Sequence, residues 1–168
     1  MSLSMYQATV PTIIRALENL AAVLEKAEQQ IDAKKFPSDA YVNARLYPDM
    51  FPLAKQVQIA SDISKGGCAR LAQIDPPAFE DNETTFPQLI ERARKTIAFL
   101  QAIKPEQIDG SEERTVTWKT RTSERSMKGQ PYLLNHVLPN VFFHCTTAYD
   151  ILRHNGVELG KQDFLGKS

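Results

Sequence analysis

Residues 138–156, "LPNVFFHCTTAYDILRHNG", place two polar residues inside the pattern of a buried helix. Apolar residues recur every three or four positions, which predicts one buried helical face. They are Leu134, Leu138, Val141, Cys145, Ala148 and Leu152. Asn140 and His144 lie one turn apart among them, about 6 Å along the axis of a helix. Gly156 suits the left-handed position after the last turn, so the helix is predicted to end just before it.

Three further stretches have the same apolar period, whereas residues 114–129, before the last helix, have a different one. The period predicts four helices at about 5–33, 50–74, 85–103 and 131–155. Between the last two, "RTVTWKT" (residues 114–120) alternates apolar and polar side chains, as a half-exposed strand does, and "ERSMKG" (124–129) can return antiparallel. The pattern therefore predicts an all-α fold, a single-domain four-helix bundle over residues 1–168 with a small β-hairpin inserted before the last helix.

The composition narrows the classes of partner. Twenty basic residues balance twenty acidic residues among 168, so no net charge favours nucleic acid or an anionic membrane. No apolar run reaches the roughly 20 residues that a membrane span needs, and the N-terminus lacks the pattern of a secretory signal. Cys68 and Cys145 lie in apolar helical stripes, which favours buried, reduced thiols and a cytoplasmic protein. Phe164 and Leu165 of the short tail are expected to pack against the bundle.

A second polar pair lies on the predicted second helix. Gln58 and Asp62 have the same four-residue spacing as Asn140 and His144. If the two faces meet, all four side chains line one polar pocket inside the bundle, as in bundles that bind ligands or metals. The simpler interpretation is a buried His144 hydrogen-bonded to Asp62, Gln58 or a neighbouring carbonyl group.

The number of histidines limits metal binding. There are three, His136, His144 and His154, and the nearest two are eight positions apart, about 12 Å along a helix. Two Zn–N bonds of about 2.1 Å cannot span that distance. At most His144 is a metal ligand in this helix, and neutral amide oxygens are poor zinc ligands. A divalent metal is therefore not favoured as cofactor, and we expect no stoichiometric zinc.

Three stretches together resemble an uncharacterised bacterial family related to the DinB/YfiT-like superfamily of metalloenzymes. They are "FPLAKQVQIASDISKGGCARL" (51–71), the opening stretch (138–156) and "GKQDFLG" (160–166). The resemblance covers nearly the whole chain and implies a four-helix bundle that is often dimeric. Active members of that superfamily are implied to bind a divalent metal through one histidine of the second helix and an HxxxH pair of the last. Some use the metal to activate a thiol cofactor.

The resemblance places the metal-binding pair at Asn140 and His144, and the second-helix ligand at or near Gln58. Two of the three ligands are then amides, which implies a degenerate metal site. Two functions stay open on this basis. The first is a bundle that binds a small molecule or acts as an interaction module, with a homodimer as one form of it. The alternative is a metal-dependent, thiol-using transferase or hydrolase.

Overall fold

The computed structural model describes residues 3–120 and 122–166. Four long helices form the body of the protein, and short helices connect or cover them. In chain order the helices are α1 (Met5–Ala33), α2 (Ser38–Val42), α3 (Leu53–Ala72), α4 (Phe86–Gln101), α5 (Pro105–Ile108), α6 (Gly129–Tyr132), α7 (Leu138–His154) and α8 (Lys161–Leu165). The strands are β1 (Thr115–Lys119) and β2 (Glu124–Lys128).

The four long helices enclose one apolar core. Helices α1 and α3 each pack against both α4 and α7, so the order around the bundle is α1, α4, α3, α7. All four contribute fully buried side chains, among them Ile13, Leu17, Leu24, Val57, Leu71, Leu89, Leu100, Val141 and Leu152. The predicted four-helix bundle is confirmed, and it sets α7 between α1 and α3.

Helix α1 begins at Met5, within the range that the apolar period predicts, and Ser4 and Gln7 cap it. The Ser4 side chain accepts a hydrogen bond from the Gln7 backbone amide, and the Gln7 side chain accepts one from the Ser4 amide, both at 3.2 Å. This reciprocal cap satisfies two amides that the first turn would leave unbonded. The helix then continues through Pro11 to Ala33.

Glycine allows a close contact between α3 and the chain before α7. A Cβ atom at Gly67 would lie 2.7 Å from the Val137 side chain, which is closer than real Cβ contacts. Since glycine weakens a helix by about 1 kcal/mol relative to alanine, its presence in α3 is explained by this approach. The helix starts at Leu53 and ends at Ala72, inside the predicted range 50–74.

The last predicted helix, 131–155, is interrupted. Helix α6 leads into a π-helical turn, Leu133–Val137, and α7 begins at Leu138. The Leu138 amide bonds to the carbonyl group of Leu133, five residues back, immediately before Pro139. Because proline has no amide hydrogen, the regular helical ladder cannot continue through this position, and a wider turn precedes it.

The hairpin is confirmed and covers the start of the last helical segment. Strands β1 and β2 are antiparallel, with Val116 opposite Met127. Val116 and Trp118 are buried, whereas every β2 residue is exposed. The Trp118 ring lies 4.9 Å from the Tyr132 ring and 4.7 Å from the His136 ring, measured between centroids. The alternation of β1 therefore packs one face on the bundle.

Both cysteines are buried and unbonded, in agreement with the sequence prediction. Burial raises the pKa of both thiols, Cys68 and Cys145, to about 12. Within residues 3–120 and 122–166, no helix has the length and apolarity needed to cross a membrane.

Candidate functional site

His144 joins α7 to α3 through a neutral hydrogen bond. Its Nδ1 atom lies 2.7 Å from the Oε1 atom of Gln56. The Gln56 Nε2 atom donates to the carbonyl oxygen of Phe51 at 3.0 Å, so the amide oxygen must face the histidine. An amide oxygen only accepts, and therefore His144 carries its proton on Nδ1 and keeps the lone pair on Nε2.

Burial keeps this histidine neutral. His144 is 9% exposed, and burial lowers the pKa of its imidazole below the ordinary value of 6.5. The edge of one ring meets the face of the other where Phe143 contacts His144, with centroids 5.1 Å apart. At neutral pH the ring is thus an uncharged link between two helices, with one nitrogen already bonded.

Asn140 serves its own helix. Its side-chain amide donates to the carbonyl oxygen of His136 at 2.6 Å, next to the interruption at Pro139. The residue is half-buried. The side-chain nitrogen of Asn140 therefore bonds to the irregular backbone that precedes α7. Asn140 thus has a local role in this turn.

Gln58 and Asp62 belong to a different group of side chains, on the side of α3 that faces α4. We call it the Arg92 cluster: Arg92, Asp62, Asp81 and Glu83. The guanidinium of Arg92 lies 2.8 Å from Asp62, 3.0 Å from Asp81 and 2.8 Å from Glu83. Gln58 donates to the other oxygen of Glu83 at 3.0 Å.

The Arg92 cluster is held together by charge. Only 1% of the Arg92 side chain is exposed. Burial alone would lower the pKa of Arg92, but the hydrogen bond that Arg92 donates to Glu83 and the charges of Asp62, Glu83 and Asp81 raise it overall. Arg92 also donates to the carbonyl oxygen of Glu80, at 3.0 Å. The cluster thereby fixes the segment between α3 and α4, which is a structural role.

The prediction that Gln58 or Asp62 lines one pocket with Asn140 and His144 is therefore wrong. His144 bonds to Gln56, whereas Gln58 and Asp62 bond within or beside the Arg92 cluster. Each residue turns an α-helix by about 100°, so Gln58 points about 200° away from Gln56, toward α4. The sequence "QVQ" offers two glutamines, and spacing relative to His144 alone does not select between them.

The side chains around His144 do not fit the metal implied by the superfamily. That site uses three histidine nitrogens, and here one imidazole stands with two amides. The oxygen of Gln56 already accepts the Nδ1 proton of His144, which leaves Nε2 as the one nitrogen able to coordinate. Among the residues that the structure describes, no three side chains of His, Cys, Asp and Glu are grouped as metal ligands.

A cavity of about 280 Å³ lies between α1, α7 and α8. We call it the α1–α7–α8 cavity, and its walls are mostly apolar. Its lining residues are Thr12, Arg15, Ala16, Asn19, Leu20, Val23, Phe142, Cys145, Tyr149, Phe164 and Leu165. An apolar cavity of about 150 Å³ holds benzene, so this space accepts a molecule of roughly ten carbon atoms.

Helix α8 forms one wall of the cavity. The Phe164 ring meets the Tyr149 ring edge-on, with centroids 6.2 Å apart. Asn19 donates to the carbonyl oxygen of Phe164 at 3.0 Å, and Arg15 donates to that of Leu165 at 3.2 Å. The packing of the tail residues was expected from the sequence. The cavity was not, since its lining comes from three separate segments without a motif.

The sequence and the fold of this chain are similar to those of known proteins. The family model described as "Domain of unknown function (DUF1993)" matches residues 5–165. A crystal structure of a DinB family member protein from Shewanella denitrificans is 37% identical in sequence. The likeness covers 97% of this chain and 92% of the Shewanella chain, with a TM-score of 0.88. No curated protein matches the chain.

Proposed function

Since the chain belongs to the DUF1993 family and has a DinB-like bundle, we propose that it is a small-molecule-binding protein whose ligand occupies the α1–α7–α8 cavity. The observation that carries this proposal is the cavity itself. It is a half-open cleft with mostly apolar walls, and the small-molecule sites of proteins are usually clefts of this kind. A largely apolar cleft of about 280 Å³ is thus a feature that the binding of a small molecule explains.

The lining supports binding more than catalysis. Cys145 lines the cavity, and burial raises the pKa of its thiol to about 12. Almost no thiolate is therefore present at neutral pH. His144 is the next residue, but its side chain turns to α3 and bonds to Gln56. Neighbouring positions on a helix differ by about 100° in direction, so the two do not form an activated pair.

The binding of a small neutral fluorescent probe, 1-naphthylamine, tests the proposal, because its two fused rings have the size that the cavity accepts. Ala16 lines the cavity, and Ala16→Phe places a ring in the space. Ala22 is exposed on the same helix, so Ala22→Phe is the matched control. We expect the wild type and Ala22→Phe to bind the probe alike, and Ala16→Phe to bind it about tenfold more weakly. Circular dichroism checks that each variant is folded.

Two results would contradict this function. One is a wild-type protein that leaves the probe fluorescence unchanged. The other is an Ala16→Phe variant that is folded and binds as tightly as the wild type, because the probe would then lie elsewhere on the protein.

A further inference from the structure

We propose that the ligand of the α1–α7–α8 cavity is an uncharged aromatic molecule of about two fused rings, and that Phe142, Tyr149 and Phe164 recognise its rings. This inference rests on the proposed function and adds the chemical class of the ligand and the residues that select it.

Three aromatic side chains line the cavity from two of its walls. Phe142 and Tyr149 are about two turns apart on α7, so they lie on the same face of that helix. Phe164 comes from α8 and meets the Tyr149 ring edge-on, with centroids 6.2 Å apart. Ring contacts of this kind stabilise beyond the burial of apolar area. An aromatic ligand can therefore form contacts here that an aliphatic ligand of the same size cannot.

Cys145 completes the wall from α7. It lies between Phe142 and Tyr149 on the same helical face and lines the cavity. Its thiol is buried, and a protonated thiol behaves as a small apolar group with a polarisable sulfur atom. The two rings and the sulfur together give α7 an apolar, polarisable surface that suits a flat ring system.

Helix α8 holds Phe164 in position against α1. Lys26 of α1 forms an ion pair with Asp163 at 2.9 Å, and Asn19 donates to the carbonyl oxygen of Phe164 at 3.0 Å. The cavity of about 280 Å³ exists with α8 held in this way. The ligand therefore occupies space that is already open, and α8 remains the wall that presents the third ring.

The charges of the lining favour an uncharged ligand. Of the described residues that line the cavity, none is a carboxylate, so a cationic ligand would find no counter-charge there. The lining has one cation, Arg15, and it already donates to the carbonyl oxygen of Leu165 on the α8 side. A charge placed against apolar walls without a partner loses the free energy of its hydration, whereas a neutral ring system does not.

Calorimetric titration with 2-naphthol and with its saturated analogue, decahydro-2-naphthol, tests the recognition of rings. The two share a carbon skeleton and a hydroxyl group, and both are uncharged at neutral pH. The saturated compound has at least as much apolar surface, so burial alone would give it equal or higher affinity. In the wild type we expect 2-naphthol to bind about fivefold more tightly.

The double variant Phe142→Leu/Tyr149→Leu removes two of the rings and keeps the wall apolar. In it the two affinities should become nearly equal. Phe142→Leu alone, a change at an exposed side chain, should reduce the preference in part and serves if the double variant is unstable. Phe143 is the next residue of α7, is 56% exposed and does not line the cavity. Phe143→Leu is thus the matched control and should keep the preference.

A third compound, 2-naphthoate, tests the charge, because it has the same rings and a carboxylate. We expect it to bind the wild type about tenfold more weakly than 2-naphthol does.

The outcomes separate the two proposals. If the saturated analogue binds the wild type as tightly as 2-naphthol, the recognition of rings is overturned and the cavity remains a binding site. If the preference survives unchanged in the ring variants, the assignment to Phe142 and Tyr149 is overturned. If 2-naphthoate binds as tightly as 2-naphthol, the selection of uncharged ligands is overturned. If none of the three compounds binds, the proposed function itself fails.

Discussion

Helix α3 holds its two neighbours by different chemistry. On one face, Gln56 and His144 form a neutral hydrogen bond to α7, 2.7 Å long. On the other, Asp62 is part of the Arg92 cluster, where one buried guanidinium faces three carboxylates. The first contact uses one acceptor and one donor, and the second a network of opposite charges.

The difference shows where a ligand site is to be found. A buried cation must have counter-charges around it, so the carboxylates beside Arg92 are explained by Arg92. A buried neutral histidine needs only a hydrogen-bond partner, and Gln56 supplies it. The ion pairs of Arg92 and the hydrogen bond between His144 and Gln56 thus hold α3 to its neighbouring helices. The cavity beside α1 and α8 has no such explanation, and it carries the proposed function.

Loss of the Arg92 cluster is expected to give the largest effect. Arg92→Met keeps the length of the side chain but leaves the buried carboxylate of Glu83 without its cation, while Asp62 and Asp81 keep their ion pairs with Lys65 and Lys55. We expect the free energy of unfolding to fall by about 3 kcal/mol, as for a buried ion pair that loses one partner. Urea denaturation measures it. Arg94 lies on the same helix, 67% exposed, and pairs with Glu25.

Arg94→Met is the matched control. An exposed ion pair contributes below about 1 kcal/mol, so this variant should remain near the wild type in stability. Equal losses in Arg92→Met and Arg94→Met would show that the buried cluster has no special role.

The neutral pair should give a smaller effect that is specific to one glutamine. Gln56→Leu leaves the Nδ1–H of His144 buried without its acceptor. In a double-mutant cycle with His144→Leu, we expect a coupling free energy of about 1 kcal/mol. The parallel cycle of Gln58→Leu with His144→Leu should give a coupling near zero. A coupling in the Gln58 cycle as large as in the Gln56 cycle would reverse the assignment of the two faces.

Acid should weaken the fold by a further, smaller amount. Burial lowers the pKa of His144, and burial with the charges of Arg70 and Arg125 lowers that of His136. Unfolded histidines titrate near pH 6.5, above both folded values. The stability from the neutral rings is complete above that pH and is lost as the pH falls through it toward the folded values.

The free energy of unfolding, measured by urea at about pH 7.5 and about pH 5.5, should be lower at the acid value. Replacing His136 and His144 together by glutamine should reduce the difference. His154, which is exposed, is the control, and His154→Gln should retain it. A pH dependence that is unchanged in the double variant would show that these two rings are not its source.

Added Zn²⁺ should have no effect on stability. One imidazole nitrogen with amide neighbours is a poor zinc site. An excess of Zn²⁺ should therefore leave the melting temperature of the wild type unchanged, and likewise that of His144→Ala. A rise of the melting temperature in the wild type that is absent in His144→Ala would identify a metal site and support the metal-dependent alternative.

Most of the fold could be predicted from the sequence because its signals are local. The apolar period marks the long helices, and the alternation at Val116 and Trp118 marks the hairpin. The break before α7 was less predictable. Pro139 indicates that the helical ladder fails nearby, but whether the chain answers with a bend, a break or a π-helical turn depends on contacts such as that between Val137 and Gly67.

The candidate site was less predictable because it depends on how helices rotate against each other. The burial of His144 followed from its place in an apolar stripe. Its partner did not, since Gln56 and Gln58 differ by two positions and face different helices. The cavity arises from a gap between α1, α7 and α8, and a gap leaves no mark on the sequence of any one of them.

The most direct test of the account is a map of backbone amide chemical shifts as 1-naphthylamine is added to isotope-labelled protein. We expect the shifts to move on α1 near Ala16, on α7 near Cys145 and along α8, and to remain unchanged around Gln56 on α3. Shift changes centred on Gln56 and His144, with none on α8, would contradict the account and place ligand binding at the polar pair.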